Sequence, residues 1–154
     1  MLTYGRTLIM FKPAAFERRL VGTILRRFIE QGLLITKKRF LRKPPAFLLQ
    51  QHYPLEEFIN SKRSFSRDRI IDYCSKGPVL LLVMEGEDAI RRARELKGHS
   101  NPEKAAPGTI RSLVDDTIEA ADARGEAYRD LVHTADSVEE AERQISLWFG
   151  DCLR

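Results

Sequence analysis

His133 is the residue of this sequence whose setting best suits chemistry. It follows the apolar pair Leu131-Val132 and precedes a strong helix start, in which Ser137 is followed three residues later by Glu140. This spacing is typical of a capping box. The apolar residues behind it share one helical face: Val138, Ala141, Ile145 and Trp148. An imidazole held between a strand and a capped helix has little rotational freedom, which suits a nucleophile. A lone histidine is still more often structural or solvated, and the chain has three.

Lys12 is a second candidate. The apolar run Thr7–Phe11 predicts a buried strand that ends at Lys12-Pro13. A strand of this kind delivers a lysine to its carboxyl end, although many strand-end lysines simply mark where the chain emerges into water. The helical spacing of apolar residues then predicts a helix over 20–31, with Gly32 as its stop.

Composition limits the class of protein. The chain has 154 residues, of which 43% are hydrophobic and 31% charged, as in an ordinary globular protein. The formal net charge of +4 favours an anionic partner, such as ligand phosphates, a nucleic acid or a membrane surface. Two cysteines, Cys74 and Cys152, indicate a reducing compartment and neither a disulfide framework nor a zinc site. We find no membrane-length apolar run and no signal-peptide pattern, so we expect a cytoplasmic protein.

The remaining elements follow in order along the chain. Leu33–Thr36 begins a second strand that turns polar through Lys37–Arg39, and Pro44-Pro45 opens a helix that should stop near Tyr53. The run Val79–Met84 is continuous enough to be a central strand. Further predicted helices are 55–61, 67–74 and a helix with Asp88 as its N-cap and Gly98 as its stop.

Residues 99–130 are largely polar and contain Asn101-Pro102 and Pro107-Gly108, which predicts a long surface loop, with a short helix over Thr117–Ala123. Loops of this length are more often functional than idle. No internal repeat or domain boundary is visible, so we expect one domain over residues 1–154. With right-handed crossovers the order of elements predicts an α+β fold: a ferredoxin-like split βαβ arrangement, with a four-stranded antiparallel sheet covered by helices.

Several short motifs follow one another along the chain: Lys12-Pro13, His52-Tyr53, Ser75-Lys76-Gly77-Pro78-Val79, Arg94, Ser100-Asn101-Pro102, Pro107-Gly108-Thr109-Ile110-Arg111, His133 with Asp136-Ser137, and Ser146-Leu147-Trp148-Phe149. In these motifs and their order the chain resembles the nucleoside diphosphate kinases, from about Arg6 to Phe149. A lone Lys-Pro pair carries no weight. The run Pro107–Arg111 followed by His133 and the closing Leu147–Phe149 is hard to obtain by accident.

The resemblance implies ping-pong transfer of the terminal phosphate of ATP or another nucleoside triphosphate to a nucleoside diphosphate, through a phosphohistidine at His133. It implies catalytic roles for His133, Lys12 and Tyr53. It implies nucleotide or phosphate contacts from Lys12, Arg94, Ser100, Arg111, Asp130, Ser66 and Ile70, with Phe65 a substitute for the stacking aromatic expected near Ser66. Gln144 and Asp136 would support the site from behind. Mg²⁺ would be bound mainly by the nucleotide phosphates, without protein metal ligands. The family also implies a dimer-based tetramer or hexamer, and neither a membrane nor a specific nucleic acid as partner.

Several positions depart from the family pattern. Ala14-Ala15 replaces Asp-Gly after Lys12-Pro13, Thr134-Ala135 replaces Gly-Ser after the histidine, and the loop between Arg111 and His133 is long. Asp130 stands where asparagine is usual and Gln144 where glutamate orients the imidazole. An amide brings no negative charge to the ring. We expect neither Asp130 nor Gln144 to lie in the core, and we expect a slow or specialised enzyme.

Two other classes of function stay open. One is a nucleotide-binding or scaffolding protein of the same fold with little or no turnover, which the changes around His133 favour. The other is a basic sheet that binds nucleic acid. Sheets of that kind place aromatic residues on an exposed face. Here Phe11 is the only aromatic residue of the first and third predicted strands, which counts against it.

Overall fold

The computed structural model describes residues 2–59 and 67–150. The strands are β1 (Tyr4–Phe11), β2 (Leu34–Leu41), β3 (Val79–Glu87) and β4 (Val132–Thr134). The helices are α1 (Pro13–Glu17), α2 (Val21–Glu30), α3 (Ala46–His52), α4 (Glu56–Ile59), α5 (Arg67–Ser75), α6 (Ala89–Lys97), α7 (Ile118–Arg124) and α8 (Val138–Phe149). Short 3₁₀ turns cover Pro102–Lys104 and Arg111–Leu113.

The strands form one antiparallel sheet in the order β2-β3-β1-β4. Alternate residues of β1 pack on opposite faces: Leu8 and Met10 on one, Ile9 and Phe11 on the other. Helices cover both faces, which explains why residues 8–11 of β1 and 79–84 of β3 are apolar without interruption. The predicted α+β, ferredoxin-like arrangement is confirmed.

Two apolar clusters hold the layers together. On one face the core includes Leu49, Ile71, Ile145 and Trp148 from α3, α5 and α8; on the other it includes Ile24, Phe28 and Ala93 from α2 and α6. Within residues 2–59 and 67–150 no helix combines the length and apolarity needed to cross a membrane.

The strands are longer than the apolar runs predicted. β1 begins at Tyr4 and β3 extends to Glu87, because these two residues pair across the antiparallel ladder beyond the buried part of the sheet. On α8, Val138 is 68% exposed, so it does not share the buried face of Ala141 and Trp148. The helix predicted over 55–61 appears over Glu56–Ile59, and residues 60 and 61 lie outside the described residues.

Asp88 occupies the N-cap position of α6, as predicted, but its side chain does not cap the helix. Asp88 has a left-handed backbone with φ of 48°, and its side chain makes no capping bond to α6. Its carboxylate instead forms an ion pair with Arg91 at 2.8 Å and accepts a hydrogen bond from the Thr3 N–H at 3.4 Å. The carboxylate is therefore held by the start of the chain rather than by the amides of the helix.

The segment 99–130 is only partly a surface loop. The predicted short helix is present as α7, and Thr117 caps it by accepting a hydrogen bond from the Ala120 N–H at 3.0 Å. The buried residues of the whole segment 99–130 are Ile110, Arg111, Ala121, Ala127, Tyr128 and Asp130. This segment therefore contributes both to the core and to the cleft described next.

Candidate active site

His133 lies on the short edge strand β4, opposite Met10 of β1, and α8 begins five residues later. The predicted capping box is present in altered form. Ser137 Oγ accepts a hydrogen bond from the Glu140 N–H at 3.1 Å, while Glu140 Oε2 accepts one from the N–H of Asp136 at 2.9 Å. The second bond reaches one residue further back than the usual box. The turn that follows His133 is thus held by two side-chain hydrogen bonds.

The hydrogen bonds behind His133 determine which ring nitrogen is free. His133 Nε2 lies 3.1 Å from Gln144 Oε1, and Gln144 Nε2 donates to Glu140 Oε1 at 2.8 Å. An ionised carboxylate can only accept, so the amide NH₂ must face Glu140 and the amide oxygen must face the ring. Nε2 therefore carries the hydrogen, and Nδ1 keeps its lone pair.

The surroundings keep the imidazole neutral. Burial lowers the pKa of His133 well below the ordinary 6.5, and the positive electrostatic influence of His52, Lys97 and Lys12 lowers it further. The bond to Gln144 acts weakly in the opposite direction. The imidazole is accordingly unprotonated at neutral pH.

Three buried side chains form what we call the inner charge cluster: Lys12, Arg111 and Asp130. Asp130 accepts from Lys12 Nζ at 3.0 Å and lies 3.2 Å from Arg111 Nε. The side chains are only 9%, 5% and 7% exposed for Lys12, Arg111 and Asp130 respectively. Burial alone would raise the pKa of Asp130, but the two cations outweigh it and hold that pKa below 3.8.

The inner cluster is held rigidly by its neighbours. The Lys12 N–H donates to the Leu131 carbonyl at 2.9 Å, which ties the end of β1 to the start of β4. Arg111 donates to the carbonyl of Ser100 at 2.6 Å and to the hydroxyl of Tyr128. That hydroxyl in turn donates to the same Ser100 carbonyl at 3.0 Å.

A second group, the outer charge cluster, consists of Arg94, Lys97 and Asp136. Asp136 lies 3.3 Å from Arg94 Nε and 3.9 Å from Lys97 Nζ. Arg94 and Asp136 are 54% and 53% exposed, whereas Lys97 is mostly covered. Burial lowers the pKa of Lys97 to about 8, and Asp136 opposes that shift.

His133, the inner cluster, and Lys97 and Asp136 of the outer cluster line one cleft. Of the residues predicted for the site, the cleft brings together Lys12, Tyr53, Ile70, Ser100, Arg111, Asp130, His133 and Asp136. Arg94 is not on its wall but on that of an adjoining cleft, which shares Lys97, Ser100 and Asp136. Gln144 lies behind the imidazole. Ser66 and Phe65, predicted to be near the base, lie outside the described residues.

Asp130 and Gln144 were both expected outside the core, and that expectation is wrong. Gln144 is completely buried and Asp130 is 5% exposed. Both polar groups tolerate burial because their hydrogen-bonding capacity is used, Asp130 by two cations and Gln144 by His133 and Glu140.

Aromatic rings close the cleft on the side of α3. The ring of His52 lies 4.6 Å from that of His133, and Tyr53 lies 6.0 Å from it, measured between centroids. Trp148 Nε1 donates to His52 Nδ1 at 3.1 Å, and burial lowers the pKa of His52 to about 3. Burial also raises the pKa of Tyr53 well above 10.0, so its phenol stays neutral.

Reasoning from sequence missed four participants: Lys97, Tyr128, Glu140 and His52 as a ring partner. Lys97 follows Arg94 by three residues, a spacing that places both on one side of a helix. Tyr128 comes two residues before Asp130 but in a segment without helical or strand periodicity. For Tyr128 no signal was available, because its inward direction depends on the packing of residues 99–130.

The described residues include no group of three or more His, Cys, Asp or Glu side chains that could hold a metal ion by themselves. What the cleft offers is an unprotonated imidazole and, in the same wall, lysine and arginine side chains. Such an arrangement suits attack on an anionic electrophile, with the cations receiving the charge of its oxygens. Phosphoryl transfer is the reaction class that needs both features.

Comparison with known proteins gives a consistent result. The family model described as nucleoside diphosphate kinase matches residues 5–152. Nucleoside diphosphate kinase 3 of Danio rerio is 37% identical over 148 residues, covering 95% of this chain and 78% of that protein. A nucleoside diphosphate kinase of Campylobacter hominis is 41% identical over 147 residues, covering 94% of this chain and 95% of that protein.

Solved structures agree with this. A transition-state mimic of nucleoside-diphosphate kinase from Borrelia burgdorferi, with bound vanadate and ADP, is 27% identical and has a TM-score of 0.89. It covers 97% of this chain and 89% of its own. An NDP kinase from Pyrobaculum aerophilum, 28% identical, has a TM-score of 0.83 and covers 96% of both chains.

Proposed function

The chain belongs to the nucleoside diphosphate kinase family and moves the terminal phosphate of a nucleoside triphosphate to a nucleoside diphosphate, and we propose that His133 Nδ1 carries the phosphate between the two. The observation that supports this role is the hydrogen-bonded pair behind the ring. Because Nε2 donates to Gln144, the free lone pair of the imidazole is on Nδ1.

The chemistry proceeds in two balanced steps. The lone pair of Nδ1 forms a bond to the γ-phosphorus while the bond from that phosphorus to the bridging oxygen breaks, and the diphosphate leaves with that oxygen. An oxygen of a second diphosphate then attacks the phosphohistidine, and the electron pair returns to Nδ1. The Nε2 hydrogen stays with the ring in both steps. A neutral imidazole needs no base, which fits the lowered pKa of His133.

The lysine and arginine side chains stabilise the transition state. Phosphoryl transfer spreads negative charge over the equatorial oxygens, so fixed positive groups stabilise it more than they stabilise the substrate. We assign this role to Lys12 and Arg111 of the inner cluster and assign Arg94 to the phosphates further out. Arg94 now binds Asp136 and must turn away from it to do so, which its exposure permits.

The other predicted contacts are part of the same proposal. Tyr53, beside His133, would limit the movement of the ring, and Lys12 lies 5.8 Å from the centroid of the Tyr53 ring. Ile70 would give an apolar surface to the nucleotide, with Ser100 and Asp130 as polar contacts. The contact of Ser66 with the base stays a prediction.

We propose that Mg²⁺ enters with the nucleotide. The nucleotide phosphates would be its main ligands, because Glu140 already accepts from the Asp136 N–H and the Gln144 amide, and Asp136 is paired with Arg94. When bound, the ion would neutralise part of the charge on the β- and γ-phosphate oxygens. Lys12 and Arg111, both on the same wall, would share that work on the remaining oxygens.

A nucleotide-binding protein with little turnover is the second candidate. Asp130 supports it, because this carboxylate occupies both inner cations and opposes the approach of a phosphate. The two candidates differ in one measurable property: a binding protein holds a nucleotide without accepting its phosphate.

Labelling with γ-³²P-ATP followed by a nucleoside diphosphate tests the proposed function. The wild type should take up acid-labile label and pass it to the diphosphate, and His133→Ala should do neither. His99→Ala is the matched control, because His99 is an exposed histidine of the same chain. Label that survives His133→Ala, or that is stable to acid, would show that another residue is the nucleophile.

We further propose one domain that assembles into dimer-based tetramers or hexamers in the cytoplasm. Exposed apolar side chains on the edge strand β2 support the assembly: Leu34, Ile35 and Phe40. The free thiol of Cys74 suits a reducing compartment. Light scattering after gel filtration would measure the mass, and a monomeric mass at micromolar concentration would contradict the assembly.

A further inference from the structure

We propose that Glu140 is a positioning residue for His133, which fixes the tautomer of the ring and supplies, through the side chain of Gln144, the negative charge that an amide lacks. This inference rests on the proposed function, because it concerns the nucleophile of that reaction. It also explains how the chain works with glutamine at a position where the resemblance leads one to expect glutamate.

The geometry forms a continuous path. Glu140 and Gln144 are four residues apart on α8, so their side chains lie on the same face one turn apart. The path runs from His133 Nε2 to Gln144 Oε1 at 3.1 Å, and from Gln144 Nε2 to Glu140 Oε1 at 2.8 Å. The same Glu140 oxygen lies 3.9 Å from His133 Nε2, too far for a direct hydrogen bond but close enough for charge to be felt.

Because the path is buried, the orientation of the Gln144 amide determines the tautomer of His133. Gln144 is fully buried, and the side chains of His133 and Glu140 are 13% and 16% exposed. Without a charge at Glu140, the Gln144 amide could turn over, present its NH₂ to the ring and stabilise the opposite tautomer. That tautomer carries its hydrogen on Nδ1 and has no lone pair facing the phosphate. The carboxylate of Glu140 excludes it, because an oxygen of Gln144 facing that carboxylate would be repelled.

The charge also acts during the reaction. As Nδ1 bonds to phosphorus, positive character develops on the ring and the Nε2–H becomes a stronger donor. The Gln144 amide, polarised by Glu140, accepts that bond more strongly than an isolated amide would. Other charged or titratable groups around the ring are Lys12, Lys97, His52, Tyr53 and Asp136, so Glu140 is opposed chiefly by the two lysines.

Glu140→Gln tests the inference, with Glu139→Gln as its matched control. Both remove one negative charge from the first turn of α8, but Glu139 is exposed and faces away from the pair. Glutamine at 140 keeps an oxygen for the Asp136 N–H, so the cap is retained. We expect single-turnover phosphorylation of His133 to slow on the order of tenfold in Glu140→Gln and to stay unchanged in Glu139→Gln.

A charge swap separates positioning from structure. In the double variant Glu140→Gln/Gln144→Glu the carboxylate contacts Nε2–H directly, and we expect most of the lost rate to return. The single variant Gln144→Glu sets two carboxylates against each other and should be slow. Nitrogen-15 NMR of the histidines should show the Nε2–H tautomer for His133 in the wild type and a mixture in Glu140→Gln.

Each outcome decides the matter. A wild-type His133 with its hydrogen on Nδ1 would overturn the inference without any variant, even if Glu140→Gln failed to fold. So would a Glu140→Gln rate equal to the wild type, or a swap no faster than the single variant. If His133 takes up label while Glu140→Gln is unaffected, the proposed function stands and only the role of Glu140 fails; if the wild type takes up none, the proposed function fails first.

Discussion

The inner and outer charge clusters have the same composition and opposite environments. Each has two cations and one aspartate, yet the inner aspartate Asp130 is 7% exposed and the outer one, Asp136, is 53% exposed. Buried charges without partners are costly, so the inner cluster holds its geometry at all times. Exposed pairs contribute little and exchange partners readily. The chain therefore keeps its cations ready near the histidine and leaves those at the cleft mouth adjustable.

Asp130 is the position at which we expect a substitution to distinguish the two clusters most strongly in stability. Asp130→Asn leaves Lys12 and Arg111 buried with no counter-charge, and we expect it to lower the free energy of unfolding by about 3 kcal/mol. Asp136→Asn, the matched change in the outer cluster, should cost less than about 1 kcal/mol. Urea unfolding at neutral pH measures both.

Two further observations belong to that experiment. ATP should stabilise Asp130→Asn more than the wild type, because its phosphates replace the missing anion. In the wild type the contribution of Asp130 is present at neutral pH and is lost as the pH falls below about 4, because its pKa is depressed in the folded state. Equal stability losses at Asp130 and Asp136 would remove the distinction between the clusters.

We expect the arginines of the two clusters to differ in their effect on the catalytic rate. Arg111→Ala should lower kcat by on the order of a hundredfold, because a fixed, desolvated guanidinium is lost from the transition state. Arg94→Ala should cost clearly less, since an exposed side chain must first leave Asp136. Steady-state kinetics with saturating nucleotides compares them. Equal losses in kcat would mean that Arg94 reaches the phosphates as effectively as Arg111.

Lys97 belongs to the outer cluster by position but is covered like the inner one, and we expect an intermediate effect. Lys97→Met should slow phosphorylation by roughly tenfold, about 1.4 kcal/mol of barrier. Because the pKa of Lys97 is about 8, the free enzyme loses this charge as the pH rises, and kcat/KM should fall above about pH 8. Lys97→Arg should abolish that alkaline fall. A fall that persists in the arginine variant would assign it to another group.

Sequence alone predicted the fold well for a physical reason. The strands and helices follow from apolar periodicity, which depends on neighbouring residues and not on tertiary packing. Clear examples are β1, β3 and α8. The errors concern side-chain environments: Asp88 stands at the N-cap of α6 without capping it, Val138 is exposed, and Asp130 and Gln144 are buried.

The site was predicted in its residue types but not in its pairings. Lys12 and Asp130 are 118 positions apart, and no local pattern shows that they meet in the core. From the sequence, glutamine at 144 removes a negative charge from the site. The sequence could not show the contact of Gln144 with Glu140 on the preceding turn of α8, because that contact depends on the rotamers of both side chains. The identity of single residues could be read from the sequence; which partner satisfies each buried group depended on the three-dimensional packing.

The hydrogen bond from Trp148 to His52 gives the chain an optical reporter. The sequence contains one tryptophan, so its fluorescence comes from a single buried indole. That indole donates to His52, whose ring touches His133. If His133 carries the phosphate as proposed, the added charge lies two rings away from the emitter, and we expect the emission intensity to shift. Each half of the proposed reaction would then be followed in real time in the unlabelled wild-type protein, without a radioactive nucleotide or a coupled enzyme.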